Sequence, residues 1–551
     1  MNTQRSVSGF LIAGAIALVV IAIAGFYWLF AKSPVSLIAS TSQSGAAIFV
    51  SKLAPATVSL LANPERLQAL ESAGEISKLK TSLLAQSGLD YRQDIQPWLG
   101  EEITLAVTTL DIDRDSENGK QPGYLMALAT KKPEKSREFV ELLFSKRVLA
   151  GANLATEEYK GAKLLYDDAQ PELEPLASAV VDGFVLFAND PRVLRDAINN
   201  VQAPDLNLTS SPQYQKATQQ LPKGSLAVAF FNLPILAQWQ GLDLPEPTYD
   251  SQIFALTLNP QGLLAETTFL AATEVSPTSA PLSQLVGALQ YIPTSAGLVI
   301  SGSHLSNLGD SDLAKLWIQA KTAISGSGTD VISRLIKPIQ DVEKSWSINL
   351  EQDIFSWVQG EYALALIPHA GQTTPGWIFV TEKLETVPEG IARLDAIASS
   401  QGLNTNSLRF NEQKVTAWTD LIANTQKNDT PEHPSFTVEA KVKGIHTTLG
   451  NYEIFTSDLE TINEVFTTKD NSFLKNRNFQ KTIAAFPESN QGYVYLDWNK
   501  SQNLLERQLP ILKLVEVVGK SFFEKLRSLT FSSYGSDTGT LKGGIFFQLD
   551  H

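Results

Sequence analysis

Gln93-Asp94-Ile95-Gln96-Pro97-Trp98-Leu99-Gly100-Glu101-Glu102-Ile103-Thr104-Leu105-Ala106 returns later in the chain as Gln352-Asp353-Ile354-Phe355-Ser356-Trp357-Val358-Gln359-Gly360-Glu361-Tyr362-Ala363-Leu364-Ala365. Seven identities fall without a gap at a shift of 259 residues (353 minus 94). Such repetition marks a duplicated unit and is read before any local motif. Within it Ile103, Leu105 and Val107 alternate with Thr104, Ala106 and Thr108, the period-2 pattern of a half-buried strand, and Tyr362, Leu364 and Leu366 repeat it.

Working outward, Phe187 and Asp190 recur as Phe455 and Asp458 at a shift of 268 (455 minus 187), each opening a helix with Asp as its N-cap. Pro191 stands at the first helical position of the earlier copy. Before them lie Val180-Val181-Asp182-Gly183-Phe184 and Thr448-Leu449-Gly450-Asn451-Tyr452, which read as hairpins with two-residue turns. Tyr214-Gln215-Lys216 returns as Phe479-Gln480-Lys481, and Leu233-Pro234-Ile235-Leu236 as Leu509-Pro510-Ile511-Leu512. Further strands are expected at 123–129 and 376–380, and helices at 64–84 and from Pro133 and Pro388. Hairpins imply antiparallel pairing, so each copy is expected to be a sheet covered on one face by helices.

The run 9–31 carries no charged side chain and exceeds the roughly 20 residues that cross a bilayer core. Phe26, Tyr27, Trp28 and Phe30 at its end resemble an interfacial aromatic belt, and Lys32 follows. Bulky aromatics there argue against a cleaved leader. The expected fold class is therefore α+β: an N-terminal transmembrane helix, then two tandem homologous units, each an antiparallel sheet covered by helices. The expected organisation is a tail at 1–8, an anchor at 9–31, a tether at 32–44, a first repeat at 45–273, a Pro/Ser/Thr-rich linker at 274–283 and a second repeat at 284–551.

A formal charge of -14, from 58 acidic against 44 basic side chains, repels phosphate backbones and argues against nucleic acid as a partner. With no cysteine, disulfides, thiolate metal sites and cysteine nucleophiles are excluded. The histidines His304, His369, His433, His446 and His551 show no zinc-ligand spacing. Ser77-Lys78-Leu79-Lys80 fits Ser-x-x-Lys but has no Ser-Asp-Asn element at a sensible place, and Ser325-Gly326-Ser327-Gly328 lacks the Lys-Ser/Thr of a phosphate loop. The repeated Trp98 and Trp357 read as hydrophobic plugs, and Glu102 and Glu361, one per copy, do not form an acid/base pair.

Asp111, Asp113 and Asp115 alternate as in the opening of a calcium loop. Ser116 and Pro122 stand where such a loop needs glycine and glutamate, so the segment reads either as a weak calcium site or as a solvated hairpin tip. No other cofactor is expected. From 504 to 526 apolar residues occupy nearly every face of an expected helix broken near Pro510, which reads either as core or as the lining of a groove for lipid or another hydrophobic guest.

The segments Ile48-Phe49-Val50-Ser51-Lys52-Leu53-Ala54-Pro55-Ala56, Leu60-Leu61-Ala62-Asn63-Pro64 and Trp98-Leu99-Gly100-Glu101, behind the apolar N-terminal run, resemble a cyanobacterial family of membrane-anchored proteins grouped as a domain of unknown function. The resemblance implies a single-pass protein of the plasma or thylakoid membrane with its body in the periplasm or lumen, and no reaction. The expected function is a non-enzymatic binding or scaffold protein with an unidentified protein partner. A lipid or hydrophobic-ligand carrier and a hydrolase with an unrecognised active site are the alternatives.

Overall fold

The structure is a computed structural model that describes residues 44–61, 91–115, 117, 119–167, 175–239, 249–271, 282–306, 349–369, 371–372, 374–426, 435–468, 471–508, 520–536 and 539–550. Its first half contributes β1 (Ala56–Leu61), β2 (Leu99–Thr109), β3 (Gly123–Thr130), β4 (Leu154–Tyr159), β5 (Ala162–Asp167), β6 (Ala177–Val181), β7 (Phe184–Ala188), β8 (Ala227–Asn232), β9 (Tyr249–Asn259) and β10 (Gly262–Ala271). The second half contributes β11 (Leu298–Ser303), β12 (Glu361–Ile367), β13 (Gly376–Glu382), β14 (Asn404–Phe410), β15 (Gln413–Gln426), β16 (Ser435–Leu449), β17 (Tyr452–Thr456), β18 (Tyr493–Asp497), β19 (Leu526–Ser536) and β20 (Thr540–Leu549).

Every pairing is antiparallel, and the strands lie in one row. The first half runs β4-β5-β6-β7-β3-β2-β1-β8-β9-β10. It continues directly into β20-β19-β18-β11-β12-β13-β17-β16-β15-β14. The second half therefore repeats the first in reverse, and the two meet where the tenth strand of each pairs with the other, from Gly262↔Gln548 to Leu270↔Thr540.

The expected α+β class is corrected by this arrangement. In place of two separate helix-covered sheets, the described residues form one large antiparallel sheet of twenty strands with few helices. No helix among them is long and apolar enough to cross a membrane. The run 9–31 lies outside the described residues, as do 64–84, the Ser77 and Ser325 segments and most of the expected linker. The physical reason for a single sheet is the edge. Left alone, β10 and β20 would each present a row of unpaired main-chain groups, and their mutual pairing removes both edges. The helix expected over 504–526, broken near Pro510, is described only in part, and its far end is corrected. Helices are found at Trp498–Gln508 and Lys520–Phe523, residues 509–519 lie outside the described residues, and Leu526 already opens β19.

Local chemistry follows the sequence closely. The β6–β7 turn places Asp182 at φ +46 and Gly183 at φ +80, and Gly450 turns β16 into β17 at φ +58. Helices α1 (Pro133–Leu149), α2 (Pro191–Gln202), α3 (Val387–Ser400) and α4 (Leu459–Thr467) cover parts of the sheet. Asp190 caps α2 by accepting from Arg192 N (2.7 Å), and Asp458 caps α4 by accepting from Thr461 N (2.8 Å). Coverage alternates with the pleat. On β3, Ala127 belongs to a cluster with Leu194 and Ile198 of α2, whereas its neighbour Leu128 joins Trp98 and Phe139 of α1. Helices thus lie on both faces rather than on one.

Candidate functional site

The repeated element is built from the inside. Trp98 and Trp357 each donate their indole N–H to a main-chain carbonyl four residues earlier, Asp94 O and Asp353 O, at 2.7 Å in both halves. Trp98 packs on Phe139 of α1 with ring centroids 5.1 Å apart, and Trp357 packs on Phe379 and Phe455. Glu102 accepts from the main-chain N–H groups of Gly45 (2.8 Å) and Ala46 (3.0 Å), from Thr104 Oγ1 (2.8 Å) and from Ser44 Oγ. Glu361 accepts from Gly287 N (2.7 Å) and from the Tyr452 hydroxyl (3.0 Å). The glutamates thus tie the 3-10 turns Gly45–Phe49 and Gly287–Tyr291 to the sheet. Burial, with the Glu361 carboxylate beside it, pushes the Tyr452 hydroxyl up from its ordinary value.

Asp111, Asp113 and Asp115 lie in the β2–β3 connection, where their carboxylates serve the loop itself. Asp115 N donates to Asp113 Oδ1 (3.0 Å), Glu117 N to Asp115 Oδ1 (3.0 Å) and Gln121 N to Asp111 Oδ1 (3.3 Å). The loop leans on α2 by charge. Asp113 acts on Arg192, and Arg114 acts on Asp196, whose carboxyl burial raises above its ordinary value against the pull of Arg114 and Arg195. Among the described residues, no group of three or more His, Asp or Glu side chains is gathered as ligands of a metal ion would be.

Two histidines missed as sites by their spacing are drawn to carboxylates in the second half. His446 faces Glu453 Oε1 through Nδ1 (3.0 Å) and lies 3.7 Å from Asp395 Oδ1 through Nε2. Thr448 donates to the other Glu453 oxygen (2.6 Å), and Trp418 Nε1 donates to Asp395 Oδ1 (2.7 Å). The imidazole is stacked on Phe455 and tilted against Trp418. His446 and Glu453 are buried. The signal was present in the hairpin: a two-residue turn after Leu449 puts His446 opposite Phe455 and Glu453 on the same face. In the first half Ser178 stands opposite Phe187 at that place, and Val185 stands where Glu453 does.

His369, between β12 and β13, faces Glu464 Oε1 through Nε2 (3.0 Å), and Ser295 donates to Glu464 Oε2 (2.6 Å). The carboxylate therefore sits between serine and histidine. A serine nucleophile needs the imidazole in that middle position, so the cluster orders a loop against α4 and does not activate Ser295.

The outer ends of the sheet are the remaining candidate, and they are chemically unlike its middle. Residues 404–409 of β14 are exposed on both faces, and only Phe410 is half-buried. Among the described residues β14 pairs with β15 alone. Beyond Thr419, residues 420–426 of β15 pair only with β16, as a two-stranded arm carrying exposed Leu421 and Ile422. At the opposite end, β4 follows α1, whose Leu142 and Leu149 lie two turns apart on one face. Leu149 is 87% exposed, and Val148 and Leu154 are exposed beside it in sequence.

The chain is similar over a limited span to two solved structures. Crystal form I of TP0453 is 12% identical with a TM-score of 0.24, covering 43% of this chain and 82% of that one. Crystal form IV of TP0453 is 12% identical with a TM-score of 0.24, covering 42% and 81%. No curated protein matches the chain. A family model matches residues 11–549, and on that match the chain belongs to the family described as protein of unknown function, DUF3352.

Proposed function

We propose that this is a non-enzymatic binding or scaffold protein that engages a protein partner at the outer ends of its sheet. One observation carries the reading. Of the thirteen exposed large apolar side chains among the described residues, four lie in the last strands of the sheet, Leu154 at one end and Leu408, Leu421 and Ile422 at the other, and three more, Leu142, Val148 and Leu149, lie on α1, the helix that leads into β4. Single exposed leucines are ordinary on a protein surface, but their concentration at particular places marks interaction sites. The His446 and His369 clusters favour this reading over a hydrolase, because both histidines are engaged by carboxylates of the fold. Attachment to a cyanobacterial plasma or thylakoid membrane through residues 9–31 belongs to the same proposal. It rests on that apolar run and on the sequence resemblance alone.

Crosslinking in intact cells through a tag on the full chain tests the binding role, with mass spectrometry of what is captured. A defined set of proteins is expected from the wild type, and it should be lost from Leu149→Asp with Leu154→Ser while circular dichroism stays unchanged. Capture that is irreproducible, or indifferent to the end substitutions, overturns the proposal. Fractionation of the same cells tests attachment, which fails if the chain is recovered without membranes at low salt.

A further inference from the structure

We propose that the β14 edge is a self-association surface, across which two copies of this chain join their sheets by antiparallel β14-to-β14 pairing. The inference shares Leu408 with the partner reading above but does not rest on it. Its ground is the way the sheet already grows. At β10–β20 the chain pairs its two tenth strands, equivalents in the two halves, antiparallel over nine residue pairs. That is the geometry in which a two-fold axis joins identical edges. Applied to whole chains, the same rule pairs β14 with β14 or β4 with β4.

Charge decides between them. β4 is short, is half-exposed along its length and carries Glu157 and Glu158 side by side. Glu157 is already held by Arg195 of α2 (2.6 and 3.0 Å). Centred pairing of β4 with itself would set Glu157 of one copy diagonal to Glu158 of the other on the same face, and charged residues on a short edge are a common device against such pairing. β14 has the opposite character. Asn404, Thr405, Asn406, Ser407 and Leu408 are uncharged, and Arg409 is its single charge. Antiparallel pairing centred on Ser407, the middle residue of the strand, matches all seven residues. It sets Asn406 against Leu408 and Thr405 against Arg409, so the two arginines are not opposed. Each Leu408, 42% exposed, gains a cross-strand neighbour. Unlike-edge pairing of β14 with β4 of the next copy would never close and would give filaments.

The absence of cysteine makes the test free of background. Side chains directly opposite in an antiparallel pair have Cβ atoms about 4.5–5.5 Å apart, close enough for a disulfide to form with small adjustment. In the full chain under mild oxidation, Ser407→Cys is expected to give a covalent dimer. Arg409→Cys alone is expected to stay monomeric, whereas Thr405→Cys combined with Arg409→Cys is expected to dimerise. Leu53→Cys, 65% exposed and far from β14 in sequence, measures random collision. The proposal is overturned if Ser407→Cys crosslinks no faster than Leu53→Cys. It is equally overturned if Ser407→Cys with Thr156→Cys forms a ladder beyond the dimer, since that is the mark of head-to-tail pairing with β4.

Discussion

Replacing Gly262 with alanine strikes the seam between the two halves at one atom. Gly262 opens β10 at φ +155, and a Cβ built there would lie 1.9 Å from the carbonyl oxygen of Phe547 and 3.0 Å from its carbon. Non-bonded heavy atoms rest at about 3.5 Å or more. Both sides of this contact are main chain, so no rotamer change relieves it and the strands must part by more than about 1 Å. Hydrogen bonds at the Gly262↔Gln548 and Leu263↔Phe547 end of the seam then exceed bonding distance. Roughly two such bonds at about 0.5–1.5 kcal/mol each, with about 1 kcal/mol for the strained backbone, give about 2–4 kcal/mol. At tenfold per 1.4 kcal/mol, amide exchange in β10 and β20 is expected to accelerate roughly 30-fold or more. Hydrogen exchange read by mass spectrometry follows both strands at once. Gly544→Ala is the internal comparison, because its Cβ would meet the Tyr534 hydroxyl at 2.2 Å, a side-chain contact, and main chain only at 3.4 Å. Wild-type exchange in Gly262→Ala, or a larger effect from Gly544→Ala, refutes the reasoning.

Glu266, midway along the same seam, has its carboxyl raised by burial, with Tyr534 and Lys542 only partly offsetting it. A raised carboxyl lets the unfolded chain ionise first, so its cost to stability appears as pH rises from the ordinary carboxylate range through the folded value and is absent below that range. Glu266→Gln is therefore expected to raise the melting temperature at pH 8 and leave it unchanged at pH 4; the reverse order contradicts the assignment. Asp458→Ala removes the α4 cap and should cost about 1 kcal/mol in chemical denaturation, whereas Asp458→Asn, which can still accept from Thr461 N, should cost less. Equal losses from the two would show that charge, not capping, is what matters. Calcium is expected to leave the melting temperature unchanged, because the acids of the β2–β3 loop already serve its backbone and face α2. A rise that Asp113→Ala abolishes would restore the calcium reading.

Local features were legible because they are written in a few adjacent residues. The Asp182-Gly183 and Gly450-Asn451 turns and the Asp190 and Asp458 caps each need only two to four positions in the right order. The seam was not legible, since Leu263 and Phe547 meet across about half of the chain and nothing in either strand names the other. The α+β expectation failed at that long-range pairing. It treated each repeat as a closed unit, although its last strand was an open edge. The candidate sites fell on the same divide. Asp111, Asp113 and Asp115 looked chemical because they are close in sequence, whereas Asp395 joins His446 and Glu453 only once α3 is laid on the hairpin.

The mirrored strand order also imposes a schedule on biosynthesis. When β10 has left the ribosome at residue 271, its partner begins only at residue 540, a gap of 269 residues (540 minus 271). At roughly 5–20 residues per second, the ten strands of the first half can be in place for tens of seconds with their final edge unsatisfied. During that time β10 is open to another nascent chain. Translation that stopped before β20 would make the exposure permanent. β20 thus acts as the stitch that closes the seam, and chaperone dependence should concentrate in the interval before it is made.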